Sequence, residues 1–121
     1  CMTNSSIDID KRTYEFALRV LSVVDKIPNT HSGKTVARQL ARSGTSIGAN
    51  VEESRAGESR ADFIHKMNIA LKESRETHYW LRIVRNKKFV ESNRLSEIIK
   101  ESDEIRKILG ASVKTAKSKK Q

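Results

Sequence analysis

Four stretches of this chain repeat apolar residues at spacings of three and four, and little in the sequence could punctuate a sheet. Pro28 is the only proline, and five glycines occur in 121 residues. A spacing of three and four is the period of one helix face. The fold class this predicts is all-α: a four-helix bundle in one domain. The first helix is expected over residues 8–27, with Tyr14, Ala17, Leu21 and Val24 as one seam. Phe16, Leu18, Val20, Val23 and Ile27 widen its apolar face. Pro28 stops it, because a proline pushes the preceding residue out of helical geometry, and residues 29–33 read as a turn.

The second helix spans about 34–56, on the stripe Val36, Leu40, Gly44, Ile47 and Val51. A glycine inside a helix costs up to about 1 kcal/mol relative to alanine. Gly44 and Gly48 therefore point to a place where a neighbouring backbone comes close. With Ser43, Ser46 and Ala49 they make this the thin helix of the bundle, and a break at Gly44 is the alternative. The third opens at Ser59, three residues before Asp62, in the manner of a capping box. It continues to about residue 87 with Phe63, Met67, Ala70, Ser74, His78, Leu81 and Val84 along one stripe. The fourth, residues 92–109, carries the cleanest heptad: Leu95, Ile98, Ser102, Ile105, Leu109. Such seams favour helices crossing at about 20°. The domain is placed at residues 8–113, with a basic, frayed tail over 114–121.

Charge narrows the function. The hydrophobic fraction is 36% and the charged fraction 32%, with a net charge of +9. Residues 1–59 hold 8 Lys/Arg against 7 Asp/Glu, and residues 60–121 hold 16 against 8, so the excess lies in the second half. A surface of this sign attracts polyanions and does so less as salt rises; solubility is the plainer reading of the same numbers. The candidate phosphate contacts are Arg82, Arg85, Lys87 and Lys88 at the end of the third helix. Lys114, Lys117, Lys119 and Lys120 of the tail would share that contact. The plainer role of the first four is to complement the helix C-terminal dipole.

Catalytic and metal chemistry find little support. A di-iron bundle needs two Glu-x-x-His pairs and two further inward glutamates, whereas the nearest spacing here, Asp62 with His65, occurs once. No metal or cofactor is expected. No phosphate-cradling glycine loop and no Gly-x-Ser-x-Gly elbow is present. Arg60, four residues, then His65 resembles the motif of small all-helical ribonucleases of the HEPN class. Chance produces that spacing readily in a chain so rich in arginine, and the expectation is that the protein is not an enzyme. The only cysteine is Cys1, ahead of a Met2 that reads as the natural start, so disulfides are not expected. No apolar run approaches the ~20 residues a membrane helix needs. A cytoplasmic protein without membrane contacts is the expectation.

A second polar pattern runs beside the apolar one. Gln39, Arg42, Ser46, Asn50 and Glu53 recur along the second helix, and Lys72, Glu73, Glu76 and Tyr79 along the third. The two arrays are either ordinary solvated faces or meet across a helix or subunit boundary, where hydrogen-bonded pairs fix register; the small residues beside the first favour the meeting. Tyr79 and its neighbour Trp80 point about 100° apart on a helix, so one suits the core and the other a subunit contact.

Two of these segments carry a family resemblance. The run Gln39-Leu40-Ala41-Arg42-Ser43-Gly44-Thr45-Ser46-Ile47-Gly48-Ala49-Asn50-Val51-Glu52-Glu53 resembles the hallmark helix of the bacterial four helix bundle protein family. That hallmark has the core Ser-Ile-x-Ala-Asn-Ile/Val-x-Glu. The run from Phe63 to Leu81, through Lys72-Glu73-Ser74-Arg75-Glu76-Thr77-His78-Tyr79-Trp80, is similar to its second signature. The family includes proteins encoded in intervening sequences of 23S ribosomal RNA genes and the accessory variability determinant of diversity-generating retroelements. The likeness covers about residues 14–109. It departs where family members often have Glu-Gly and this chain has Glu53-Ser54. What the resemblance implies is an up-and-down four-helix bundle that assembles into a homopentamer. Its partners would be other copies of itself, nucleic acid through a positive surface and, as in the retroelement relatives, a reverse transcriptase or another protein. A protein–protein scaffold without nucleic-acid binding is the alternative, and a ribonuclease the third reading.

Overall fold

The computed structural model describes residues 5–57 and 59–119, with side chains from Ile9 onward, and is helical almost throughout. α1 is Ser5–Val24, α2 His31–Arg55, α3 Arg60–Asn86 and α4 Ser92–Lys119. Each helix packs on its neighbours in the chain, and α1 closes the ring against α4. The connections are short, so successive helices run antiparallel.

Local chemistry sets the helix ends. Thr30 caps α2 by accepting the Gly33 N–H at 3.0 Å, and Ser59 caps α3 by accepting the Asp62 N–H at 3.1 Å. Each bond satisfies a donor that the first helical turn leaves open. At the far end of α3 the Phe89 N–H returns to the Val84 carbonyl (3.0 Å) and the Lys88 N–H to the Arg85 carbonyl (3.1 Å). This pair of bonds is a Schellman motif. Its left-handed position is held by Lys88, at φ 60°, where a glycine is the usual occupant.

The core is a column of buried side chains contributed by all four helices. α2 and α4 bury the stripes read from their spacing: Val36, Leu40, Gly44, Ile47 and Val51 in one, Leu95, Ile98, Ser102, Ile105 and Leu109 in the other. α2 is continuous through Gly44, not broken there. The reason for its glycines lies on α1. A Cβ at Gly44 would stand 2.7 Å from Val20 Cγ1, and one at Gly48 would stand 3.3 Å from the Thr13 carbonyl. Any larger residue would push α1 outward.

Two expectations need correction. In α1 the buried seam is Ile9, Thr13, Phe16, Val20 and Val23, whereas Tyr14, Leu18 and Leu21 are 59%, 51% and 39% exposed. The segment carries two overlapping stripes of helical period, and the one facing the α2 glycines goes inside. The second correction concerns the tail. α4 does not end near Leu109 but continues to Lys119, and Val113 and Ala116 extend its buried stripe beyond Gly110. A frayed tail over 114–119 is therefore replaced by helix, because the apolar period persists there; Lys120 and Gln121 lie outside the described residues.

Candidate nucleic-acid interface

The antiparallel order gives the bundle two poles. One gathers the end of α1, the start of α2, the end of α3 and the start of α4. The other gathers the start of α1, the α2–α3 turn and the end of α4. The structure divides the predicted basic residues between them. Arg82, Arg85, Lys87 and Lys88 are exposed at the first pole. Lys114, Lys117 and Lys119 are exposed at the second, while Lys120 falls outside the described residues. α4 rises about 1.5 Å per residue, so the two groups stand ~30–40 Å apart along the bundle. A contact shared between them, as the sequence suggested, is not what the fold builds.

At the first pole the four cations have no carboxylate partner among the described residues. The Arg82 guanidinium lies over the Tyr79 ring at 5.9 Å, and the Lys87 ammonium over the Phe89 ring at 5.9 Å. Arg85 Nε donates to the Asn86 side-chain oxygen at 3.3 Å. These contacts orient the cations without neutralising them. Three further cations join them that the sequence reading did not single out. Arg19, Lys26 and Arg94 surround a cleft of about 180 Å³ whose remaining wall is Ser22, Val23, Val90 and Ile98. The signal was present, since an up-and-down order brings the residues just before Pro28 beside the start of α4.

Elsewhere several cations are matched to carboxylates. Arg12 of α1 donates to Glu101 at 2.6 and 3.0 Å and to Glu104 at 3.0 Å, tying the first helix to the last. The hydrogen bonds to Glu101 raise the pKa of that guanidinium further above its ordinary value. Arg55 pairs with Asp10 at 3.4 Å and Lys66 with Glu53 at 3.6 Å. Asp103 receives Arg106 at 2.5 Å and Lys107 at 3.3 Å, and the Arg106 bond first and the Lys107 bond next hold its carboxyl below the usual range.

The polar stripes meet between α2 and α3. Arg42 donates to the Gln39 side-chain oxygen at 3.1 Å and reaches across to Glu73 at 3.1 Å and to Glu76. Trp80 Nε1 donates to Glu76 at 3.1 Å. The Trp80 N–H first, and then Arg42, keep the Glu76 carboxyl below its ordinary range, and the Glu76 bond raises Arg42. Beneath this array the Thr77 hydroxyl is shared between the Ser43 hydroxyl at 2.9 Å and the Glu73 carbonyl at 2.8 Å, fully buried. Ser46 and Asn50 are not part of the bridge: the Asn50 amide donates back to the Ser46 carbonyl (2.8 Å) and hydroxyl (3.1 Å) within α2. Glu53 joins α3 separately, through Lys66. Tyr79 is 49% exposed and meets Trp80 edge-on at 5.0 Å.

His78 lies beside the basic pole with its Nδ1 buried and without a partner among the described residues. Desolvation first, and then Arg82, with Arg106 and Arg85 adding to it and Asp103 opposing, hold its pKa below the usual imidazole range. Arg60 and His65 are both exposed, and five residues of helix turn their side chains ~140° apart. Among the described residues no group of three or more His, Cys, Asp or Glu side chains converges as a metal site, and no helix is long and apolar enough to cross a membrane.

The comparisons with known proteins agree with this architecture. The model of the family described as 23S rRNA-intervening sequence protein matches residues 5–111. A crystal structure of a protein of unknown function from the S23 ribosomal protein family of Bacteroides thetaiotaomicron is 39% identical. The match covers 88% of this chain and 98% of that one, with a TM-score of 0.81. No curated protein matches the chain. With four helices bearing both signature segments and a family match over nearly all of its length, the chain belongs to the 23S rRNA-intervening sequence protein family.

Proposed function

We propose that the protein is a non-catalytic, self-associating binder of structured nucleic acid, RNA foremost, and that the pole built from the ends of α1 and α3 and the start of α4 makes the contact. The observation that carries this is Lys88. A lysine in the left-handed position of a helix-terminating motif costs about 1 kcal/mol relative to glycine. Strain of this kind persists where a side chain is needed for something else. Here it places one more cation beside Arg82, Arg85 and Lys87. Arg19, Lys26 and Arg94 stand close by around the cleft, and none of the seven is matched to a carboxylate among the described residues. Unpaired, exposed cations on a rigid frame suit a phosphate backbone, which rewards charge and spacing more than side-chain identity.

Self-association draws on a different surface. Tyr14, Leu18 and Leu21 form a stripe of large apolar residues on the outside of α1, of the kind that marks a contact between proteins. The homopentamer implied by the family resemblance would bury it and set several basic poles around one axis. The same stripe supports the second reading, a scaffold that binds protein alone. Filter binding of structured RNA over a salt series, alongside mass by light scattering, separates the two. A logarithmic slope of several units with a mass near five chains is the expected result; no retention of RNA or DNA at low salt leaves the scaffold reading.

A further inference from the structure

A larger cavity than the basic cleft belongs to the opposite pole, and its character differs. A groove of about 880 Å³ opens between the starts of α1 and α3 and the last turns of α4. Ile9, Phe63, Met67, Ile108, Ala111 and Ala116 supply its apolar surface, and Arg55, Arg60, Lys107 and Lys119 border it. Arg55 is paired with Asp10 at 3.4 Å, and Lys107 shares Asp103 with Arg106. Arg60 and Lys119 have no carboxylate partner among the described residues. A nucleic-acid backbone would find the cations useful and the apolar floor wasted; a neutral apolar segment would leave the rim unmatched.

We infer that this groove receives an acidic amphipathic helix from a partner protein. Its apolar stripe would lie on Ile108, Phe63 and Ala111, with Asp or Glu side chains flanking that stripe and meeting Arg60, Lys119 and Lys107. The dimensions suit such an occupant. α4 lines the groove from Lys107 to Lys119, about 18 Å at 1.5 Å per residue, so cations stand at both ends of a three-turn wall. A single-headed amphiphile would use only one of those ends. The short side chains of Ala111 and Ser112 on that wall let a ligand helix approach closely, as the glycines of α2 do for α1. Helix-in-groove recognition of this sort reads anchors at i, i+3/i+4 and i+7, and the charges fix direction and partner choice.

The test uses the whole chain and a fluorescent synthetic peptide of about four helical turns, with leucines at helical spacing flanked by glutamates; a second peptide carries lysines in their place. Fluorescence polarisation is expected to show saturable micromolar binding of the glutamate peptide and none of the lysine peptide. Filling the groove with Ala111→Trp should weaken binding about tenfold or more, at an exposed position that leaves the core alone. The surface pair Arg60→Glu/Lys119→Glu should do the same by charge. The inference is overturned by no binding of the glutamate peptide, by equal binding of both peptides, or by indifference to both variants. A change in self-association mass with Ala111→Trp would mean another copy of the chain covers the groove. Loss of RNA affinity in that variant would give the groove to nucleic acid. Either result also overturns the inference; failure of the peptide to bind leaves RNA binding at the other pole untouched, whereas loss of RNA affinity on filling the groove would count against that pole as well.

Discussion

The two poles of this bundle carry the same sign of charge and present it differently. At the pole formed by the α3–α4 connection, Arg19, Lys26 and Arg94 line a cleft of about 180 Å³ and Arg82, Arg85, Lys87 and Lys88 are exposed at the end of α3, all seven without carboxylate partners among the described residues. At the other, cations border an apolar groove almost five times as large, and part of their charge is already met by Asp10 and Asp103. Net charge alone would treat the ends as equivalent. Pairing and apolar area separate them into a surface suited to a uniform polyanion and a surface suited to one particular acidic helix.

The sharpest way to break that contrast is charge reversal at each pole in turn. Arg82, Arg85, Lys87 and Lys88 all changed to Glu should weaken structured-RNA binding by roughly a hundredfold or more at low salt. The salt slope should flatten by about one unit for each phosphate no longer neutralised. Lys114, Lys117 and Lys119 changed to Glu should cost about tenfold or less. Equal losses in electrophoretic mobility titrations would dissolve the distinction. Next in size is the spacer between the poles. Gly44→Val places new atoms against Val20, where even a Cβ would come within 2.7 Å. It should destabilise the fold by about 1–3 kcal/mol in urea melts. RNA affinity measured well below the transition should stay unchanged.

A subtler test trades one property for another. Lys88→Gly relieves the left-handed residue and should stabilise the fold by about 0.5–1 kcal/mol, while RNA affinity drops a few-fold. A variant that gains stability and loses nothing in binding would remove the functional reading of that strain. The smallest effect concerns pH. Desolvation first, and then Arg82, hold the His78 pKa in the folded chain below the usual imidazole range, whereas an unfolded histidine takes up its proton near the ordinary value of about 6.5. The unfolded state therefore binds more protons as pH falls through that value, and stability declines from there down to the lower folded pKa. Lowering the pH from neutral toward 5.5 should reduce Tm by about 1–2 °C, and His78→Gln should flatten that decline. Acid titration of Glu76 and Asp103, whose folded pKa values are lowered, takes away stability only below the unfolded carboxylate range.

The bundle was legible wherever one apolar stripe stood alone. α4 has a single heptad and α2 a single stripe interrupted by glycines, and both read correctly. α1 did not, because its apolar residues satisfy two registers. What chooses between them is the thinness of α2 at Gly44 and Gly48, a fact about a different helix. Gly110 looked like a stop, yet no glycine among the described residues adopts positive φ, and Val113 and Ala116 carry the seam past it. The cationic residues were individually visible, but not their grouping. Arg19, Lys26 and Arg94 are far apart in sequence, while the tail lysines, which composition joined to the α3 cluster, sit at the other pole. The bridge of Arg42 to Glu73 and Glu76 was within reach because it joins two stripes already in phase; Arg12 with Glu101 required knowing that the first helix touches the last.

The closure of α1 on α4 has a practical corollary. The first described turn of α1 and the last described turn of α4 lie together beside the large groove, so a bulky label or surface tether attached to either turn would crowd that groove. The opposite pole is bounded only by the two tight connections between helices. Immobilised through either of those turns, the molecule would offer that face unobstructed to the solution, whereas a label meant to follow occupancy of the groove belongs on the tether side.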